Sequence, residues 1–222
     1  MPLVTGGSGL ARFLPNAFRN LGLLKSDEFT PTLPEVAGRS LIVAGSCSTA
    51  TNAQVTWMRD HCPHWSVDVA TVMDNAEVEF VKVREWAQTS PVDQPLLIYS
   101  SAPPDQVTQL QNQFGRDPVA NALETFLARV TCSLVDEMNV RRLILAGGET
   151  SGAIVAALGI EALSIGPEIC VGVPWTESFS PRQLALALKS GNFGEPNFFQ
   201  SCLLYTSPSP RDATLSRMPS SA

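Results

Sequence analysis

Short, continuous apolar runs alternate with longer amphipathic segments along most of this chain. The apolar runs end at glycine, serine or proline, which is typical of strands buried on both faces of a sheet. The amphipathic segments carry apolar residues three and four positions apart, as one face of a helix does. We predict strands at 40–44, 67–72, 95–100 and 140–146, and helices at 50–59, 75–88, 120–138 and 153–158.

This alternation of strands and helices predicts an α/β fold. Helices should cover both faces of a mainly parallel sheet, giving a three-layer α/β/α arrangement. The pattern is less regular towards the end of the chain. There we predict closing strands or loops at 163–169 and 171–174, a short apolar segment at 184–189, and a turn at 191–194.

Composition divides the chain into three parts. Residues 1–38 include a polar stretch with two prolines and fit an interdomain or linker segment. Residues 39–199 carry the alternating pattern and form the predicted domain. Residues 200–222 are rich in Ser, Pro and Arg and resemble translated adapter or vector sequence. We therefore expect a foreign, disordered tail there, with a natural flexible tail as the alternative.

The strongest candidate for chemistry is the turn after the strand at 140–146. Two glycines are followed by Glu149, Thr150 and Ser151, and then by a helix. Gly148 would let a ligand approach the backbone, and the N–H groups of the helix N-terminus suit a phosphate. Glu149 could hold the water shell of Mg²⁺. An ordinary turn with Thr150 or Ser151 as the helix N-cap explains this segment about equally well.

A second turn of the same construction follows the strand at 40–44, with Ser46 after the glycine and Ser48 or Thr49 near the predicted N-cap. In a parallel sheet both turns lie at the carboxyl ends of strands, where α/β folds bind ligands. Two such turns could hold one nucleotide between them. An ordinary capped turn is again the alternative.

Two further segments carry weaker signals. Lys189 could meet a phosphate as a point charge, and Gly191 could let the backbone pass close to a base or ribose. A helix C-terminus explains that segment equally well. Residues 5–9 could form a phosphate nest or a flexible interdomain turn.

Charge and missing motifs exclude several classes of function. The net charge of −6 argues against nucleic-acid binding, and no apolar run reaches the roughly 18 residues that a membrane span needs. An odd cysteine count and the lack of a secretory pattern at the N-terminus favour the cytoplasm. P-loop, dinucleotide and nucleophile-elbow motifs are absent. His61 and His64 lack the partners that a zinc site requires.

Several ordered motifs together resemble one family, the four-carbon acid sugar kinases, and within it the 3-oxo-tetronate kinases. The motifs are TGGSGLA at 5–11, GSCSTAT at 45–51, GGETSGAIVAALGI at 147–160, IGPEICVGVPW at 165–175 and LALKSGNFGEPNFF at 186–199. The resemblance covers nearly all of residues 2–199. It implies that residues 39–199 are the C-terminal, nucleotide-binding half of a kinase whose acid-sugar half is missing from this chain.

The resemblance also implies a reaction and a set of contacts. ATP, with Mg²⁺, would phosphorylate the 4-hydroxyl of a four-carbon acid sugar bound by the missing N-terminal domain. The nucleotide contacts carried over by motif are Ser46, Gly148, Glu149, Thr150, Ser151 and Gly191. Glu149 in its turn is closer to the 3-oxo-tetronate subgroup than to the threonate or erythronate kinases. No catalytic base is identified, and a homodimer is left open.

Three alternatives remain at this stage. A D-threonate or D-erythronate 4-kinase would use the same nucleotide half on another acid sugar. A nucleotide-binding module without transfer activity would share the turns but not the reaction. A generic α/β domain could bind another phosphorylated metabolite at the same strand ends.

Overall fold

A computed structural model describes residues 5–6, 8–11, 13–24, 32, 36–100 and 113–204. The chain divides into two compact units, residues 1–31 and residues 32–222. The first unit contains two short helices, α1 (Ser8–Ala11) and α2 (Leu14–Asn20). The segment predicted as a phosphate nest runs into α1, although Gly7 lies outside the described residues.

Strands and helices alternate through most of the second unit, as predicted. In chain order the elements are β1 (Arg39–Ala44), α3 (Thr49–Arg59), β2 (His64–Ser66), α4 (Val69–Thr89), β3 (Leu96–Tyr99), α5 (Arg116–Glu137), β4 (Val140–Ala146), α6 (Gly148–Ala157), β5 (Ser164–Cys170), β6 (Val173–Ser178), β7 (Leu184–Lys189) and α7 (Phe198–Leu204). Residues 200–204 of the predicted tail belong to α7, and residues 205–222 lie outside the described part of the chain.

The strands form one sheet in the order β2-β3-β1-β4-β7-β6-β5. The first five strands in this order, β2, β3, β1, β4 and β7, are parallel to their neighbours. Strand β6 is antiparallel to both β7 and β5. The prediction of an α/β fold with a mainly parallel sheet is therefore confirmed. In the register between β1 and β4, Ala44 pairs with Ala146, so the two strands end side by side.

Side chains of the central strands alternate between two apolar cores, one on each face of the sheet. On β1, Leu41 and Val43 enter the first core, and Ile42 and Ala44 enter the second. Helices α4, α5 and α6 cover the first core, and α3 and α7 cover the second. The carboxyl-terminal parts of β1 and β4 and the whole of β3 are apolar because both faces are covered there, which gives the predicted three layers.

The strand predicted at 67–72 is wrong. Strand β2 ends at Ser66, and helix α4 begins at Val69. The Asp68 side chain accepts hydrogen bonds from the backbone N–H groups of Ala70 (3.0 Å) and Thr71 (3.2 Å) and so caps the helix. This cap outweighs the strand preference of the valines that follow.

The irregular end of the chain is an antiparallel extension of the sheet. Strand β5 pairs with β6, and β6 pairs with β7, so the apolar segment at 184–189 is the strand that joins the extension to β4. The helix C-terminus considered for this segment is therefore wrong. Among the described residues, no helix combines the length and apolarity needed to cross a bilayer.

The chain segments that follow β1 and β4 lead to opposite edges of the sheet. After β1 the chain passes through α3 on the second face to β2, beyond β3. After β4 it passes through α6 on the first face to β5, at the other edge. Such a reversal opens a crevice at the carboxyl ends of the two strands, which is where open α/β sheets bind ligands.

Candidate functional site

Three strand ends are joined by backbone hydrogen bonds at this crevice. The N–H groups of Gly45 and Ser46 both donate to the carbonyl of Ala146, at 3.0 and 3.3 Å. The N–H of Gly147 donates to the carbonyl of Lys189 at 2.9 Å. We call residues 45–48 the first glycine turn and residues 147–151 the second. These bonds hold the two turns and the end of β7 side by side.

The contact between the turns requires glycine at two positions. Gly147 has φ of +124°, a conformation that side-chain-bearing residues rarely adopt. A Cβ at Gly147 would lie 3.2 Å from both the Ser46 nitrogen and the Thr150 Oγ1. A Cβ at Gly45 would overlap the same Thr150 hydroxyl. The missing side chains therefore let Thr150 sit directly against the first turn.

Helix α6 begins at the second glycine turn without a side-chain cap. Its N-cap residue is Gly147, so the alternative with Thr150 or Ser151 as the cap is wrong. The buried Ser151 side chain lies 3.4 Å from the Leu145 carbonyl instead. The first N–H groups of a helix have no partner within it. Together with the helix dipole, they form a site suited to an anion.

Helix α3, by contrast, begins at an ordinary cap. The Ser48 Oγ accepts a hydrogen bond from the Thr51 backbone N–H at 3.2 Å, which confirms the predicted N-cap at Ser48 or Thr49. The Ser46 Oγ accepts from the backbone N–H of Ser48 at 3.2 Å. The first turn therefore combines a capped helix with a serine that precedes the cap.

The loop after β7 lies against the first turn. The Gly191 carbonyl oxygen lies 2.5 Å from the Ser48 Oγ and 3.0 Å from the Thr51 Oγ1. A Cβ at Gly191 would lie 2.5 Å from the Ser46 Oγ. The fold thus brings the sequence-predicted residues Ser46, Thr150 and Gly191 to one end of the sheet.

Lys189 does not lie where a phosphate contact requires it. Its side chain is buried, and its ammonium donates to the Thr51 Oγ1 (3.1 Å) and to the carbonyls of Ser190 and Gly191 (3.0 Å each). Burial lowers the pKa of Lys189 to about 8, with Cys170 and Cys202 acting in the opposite direction. The prediction of a direct phosphate contact is wrong; Lys189 braces the loop instead.

A cavity of about 530 Å³ opens beside the two turns. Its lining includes four of the predicted residues, Ser46, Gly148, Glu149 and Thr150. Ser151 and Gly191 do not line it. The remaining lining residues are Gly45, Cys47, Val69, Ser100, Arg116, Val119, Ala120, Leu123 and Gly147. Drug-sized ligands occupy pockets of roughly 300–1,000 Å³, so a nucleotide fits this volume.

The sequence did not predict the cavity residues that lie outside the two glycine turns. Ser100 follows β3, so the rule that ligands bind at the carboxyl ends of strands could have identified it. Val119, Ala120 and Leu123 lie in the first turns of α5, and nothing in their spacing separates a ligand-facing position from a core-facing one. Arg116, at the start of the same helix, is exposed.

Charges of both signs lie around the cavity. Arg116 contributes a cation, and Glu149 in the first turn of α6 contributes a carboxylate. Burial and the nearby Glu149 raise the pKa of Glu124. The described residues contain no group of three or more His, Cys, Asp and Glu that could hold a metal by themselves. Mg²⁺ is usually held by one or two carboxylates together with substrate phosphates, a role that Glu149 alone could fill.

The model of one protein family, described as the nucleotide-binding C-terminal domain, matches residues 41–199. Among curated proteins, the chain is similar to the 3-oxo-tetronate kinase of Cupriavidus necator, with 42% identity over 204 residues. It is also similar to the 3-oxo-tetronate kinase of Pseudomonas fluorescens, with 44% identity over 205 residues. Each match covers 91% of this chain but only 46% of the relative.

Among solved structures, the fold is similar to the Haemophilus influenzae protein HI1011. The TM-score is 0.74 at 37% identity, and the match covers 90% of this chain and 47% of that protein. The chain therefore spans about half the length of the relatives it matches. Residues 41–199, which the family model matches, contain both glycine turns and all the residues that line the cavity.

Proposed function

The chain belongs to the family of nucleotide-binding C-terminal domains, and from this premise we propose that its cavity binds ATP as the nucleotide half of a carbohydrate kinase. The observation that carries the proposal is the uncapped start of α6. This helix start lies beside the first glycine turn, where Gly45 and Ser46 donate to the Ala146 carbonyl and Gly45 leaves room for Thr150. Phosphate groups are the ligands that such a helix terminus favours most.

The residues at the cavity fit a nucleotide with its metal. Gly147 and Gly148 leave the backbone open to phosphates, and the hydroxyls of Ser46 and Thr150 add donors beside them. Glu149 would hold Mg²⁺ through a carboxylate oxygen or a water. When bound, the metal neutralises charge on the phosphates and lowers the barrier to phosphoryl transfer.

The contribution of this half to the reaction is positioning. Phosphoryl transfer requires the protein mainly to fix the phosphates in line with the acceptor and to stabilise their charge. The backbone N–H groups of residues 148–150 would hold the phosphates. Hydrogen bonds from Gly45 and Ser46 to Ala146 keep the two turns at a fixed separation. The acceptor hydroxyl would belong to an acid sugar held by the half of the relatives that this chain does not span.

The relatives named above supply the substrate class. We propose a four-carbon acid sugar, 3-oxo-tetronate, because the relatives are named as kinases of this acid. We further propose its 4-hydroxyl as the acceptor. A D-threonate or D-erythronate kinase is the alternative within the same class, and assays on the three acids separate them. A homodimer and a cytoplasmic location stay predictions.

A matched pair of substitutions in α6 tests the nucleotide site. A Cβ at Gly148 or at Gly152 would meet nothing within 4 Å, so either glycine can accept a side chain without a clash. Gly148 lines the cavity and Gly152 does not. We expect Gly148→Val to weaken Mg-ATP binding in calorimetry by about tenfold or more, a loss of about 1.4 kcal/mol.

Gly152→Val is the control, and it should leave the ATP affinity within about twofold of the unchanged chain. Equal effects of the two variants would mean that the start of α6 does not meet the phosphates. A nucleotide-binding module without transfer activity is the second candidate, because the family model that matches the chain describes nucleotide binding alone. ATP binding without turnover, when the other half of a relative is added, would favour that candidate.

A further inference from the structure

The cavity has two chemically different sides. One side is formed by the two glycine turns and carries backbone N–H groups and hydroxyls. A second group of lining residues is apolar: Val69 at the start of α4, with Val119, Ala120 and Leu123 in the first turns of α5. Arg116, at the start of α5, lines the cavity as well and is its cation. A ligand suited to this lining combines an anionic part with an apolar part.

Ser100 carries a buried hydroxyl on this cavity. The residue is 5% exposed, and its Oγ makes no hydrogen bond to any residue in the part of the chain that the structure describes. Its backbone N–H is used by the sheet, since it donates to the Ala44 carbonyl at 3.0 Å. A buried hydroxyl without a partner costs about 1–3 kcal/mol, so this side chain is suited to a ligand that completes its hydrogen bonding.

We infer that the apolar side of the cavity receives the base of the nucleotide, with the Ser100 hydroxyl bonding a polar atom of the base or ribose. This assignment rests on the proposed function and extends it to the specificity-determining residues Val69, Ser100, Val119, Ala120 and Leu123. A planar purine ring buries its faces against aliphatic side chains and keeps hydrogen-bonding atoms at its edge. The triphosphate then extends to the start of α6.

The base and the phosphates can be tested separately by comparing ATP with inorganic tripolyphosphate. Ala120→Phe fills the apolar side, and we expect it to weaken ATP binding by about tenfold or more while tripolyphosphate binding changes by less than about twofold. Ser100→Ala removes one neutral hydrogen bond, and we expect a loss of about two- to tenfold in ATP affinity alone. Gly148→Val should weaken both ligands.

Ala156→Phe is the matched control for Ala120→Phe, because Ala156 is an exposed alanine of α6 that does not line the cavity. Ser100→Ala removes a single heavy atom, so it still tests the subsite if the larger Ala120→Phe substitution prevents folding. A second measurement uses the unchanged chain: photolabelling with 2-azido-ATP should modify the tryptic peptide of residues 117–129. Labelling confined to peptides that contain none of the subsite residues would overturn the assignment, whereas peptides 60–82 and 85–116 carry Val69 and Ser100 and would agree with it.

The outcomes distinguish this assignment from the proposed function. Binding of ATP that neither Ala120→Phe nor Ser100→Ala weakens would overturn the base subsite and leave the phosphate site intact. Equal losses for ATP and tripolyphosphate in Ala120→Phe would also overturn it, because the change would then act on the phosphates. A chain that binds neither ligand would overturn both the nucleotide site and the subsite.

Discussion

The two glycine turns have the same construction in sequence but end in different chemistry. Each follows a buried strand, and each leads through glycine and hydroxyl residues into a helix. In the first turn Ser48 caps α3, so a side chain already satisfies an N–H group at the helix start. In the second turn Gly147 is the N-cap of α6 and provides no side chain at all.

A helix start without a side-chain cap can therefore indicate a ligand site. Serine or threonine at a helix start usually indicates a cap, and a cap uses the N–H groups that an anion would need. At the second turn the hydroxyl residues lie inside the helix, and the N-cap position is left to glycine. The first turn supports the second, because its N–H groups donate to the strand that leads into it.

Replacing Lys189, which links the second glycine turn to helix α3, should change stability the most. Its carbonyl accepts from Gly147, and its ammonium donates to Thr51 of α3. Burial lowers its pKa from an ordinary value of 10.5 to about 8. Between those pH values the unfolded chain binds more protons than the folded chain, so the stability of the folded state rises with pH.

We therefore compare the free energy of unfolding in urea of the unchanged chain with that of Lys189→Met. As the pH rises from about 8 to 10.5, the unchanged chain should gain about 3 kcal/mol relative to the variant. Below pH 8 the charge is present in both states, and the full cost of burying it is paid. Burial also raises the thiol pKa of Cys170 and Cys202. Both thiols are present in the unchanged chain and in Lys189→Met, so their contributions to the pH dependence largely cancel when the two proteins are compared. Parallel pH profiles would show that Lys189 keeps its ordinary pKa.

A smaller effect is expected where the two turns touch. Gly45→Ala places a Cβ on the Thr150 hydroxyl, and such overpacking costs about 1–3 kcal/mol of unfolding free energy. Thr150→Ala removes the hydroxyl, so the double variant should recover about 1 kcal/mol relative to the sum of the single variants. Chemical denaturation of the four proteins measures this coupling.

Gly148→Ala serves as the control for Gly45→Ala, because its Cβ would meet nothing within 4 Å. We expect its unfolding free energy to stay within about 1 kcal/mol of the unchanged chain, as for glycine replaced near a helix start. Additive costs for Gly45→Ala and Thr150→Ala would contradict direct contact between the turns.

The smallest effect separates the two helix starts. Ser48→Ala removes the cap of α3 and should cost about 1 kcal/mol. Ser151→Ala removes a hydroxyl that caps nothing and lies 3.4 Å from its nearest acceptor, so its cost should be about half of that or less. Thermal melts at one pH compare the two. A larger cost for Ser151→Ala would reverse the assignment of caps.

The strand ends could be predicted from sequence because they rest on strong local signals. Apolar runs located β1, β3 and β4 to within a residue or two, and parallel pairing then requires their carboxyl ends to share one edge. That rule predicts that Ser46 and Thr150 lie close together, as they do in the structure. The strand predicted at 67–72 is wrong because Asp68 caps α4, and strand propensity alone does not weigh this cap against the valines. The true strand, β2, ends just before the cap, at Ser66.

The rest of the site depends on contacts between distant residues. Val119 and Leu123 fit the same helical spacing as the core residues of α5, so only the packed structure shows that they meet a cavity. The position of Lys189, at the end of β7, depends on Thr51, which lies in helix α3. The sequence offered a positive charge near glycine, and only the fold shows that backbone carbonyls already surround it.

The hydrogen bonds between strand ends have a consequence for folding. They join Gly45 to Ala146 and Gly147 to Lys189, so each crosses a long stretch of intervening chain. Contacts of this kind form only when the central strands are already assembled, because closing such loops costs entropy first. A nucleotide should thus recognise the completed domain and no shorter piece of it. The rise in melting temperature with ATP concentration would then report cooperative unfolding of the whole sheet.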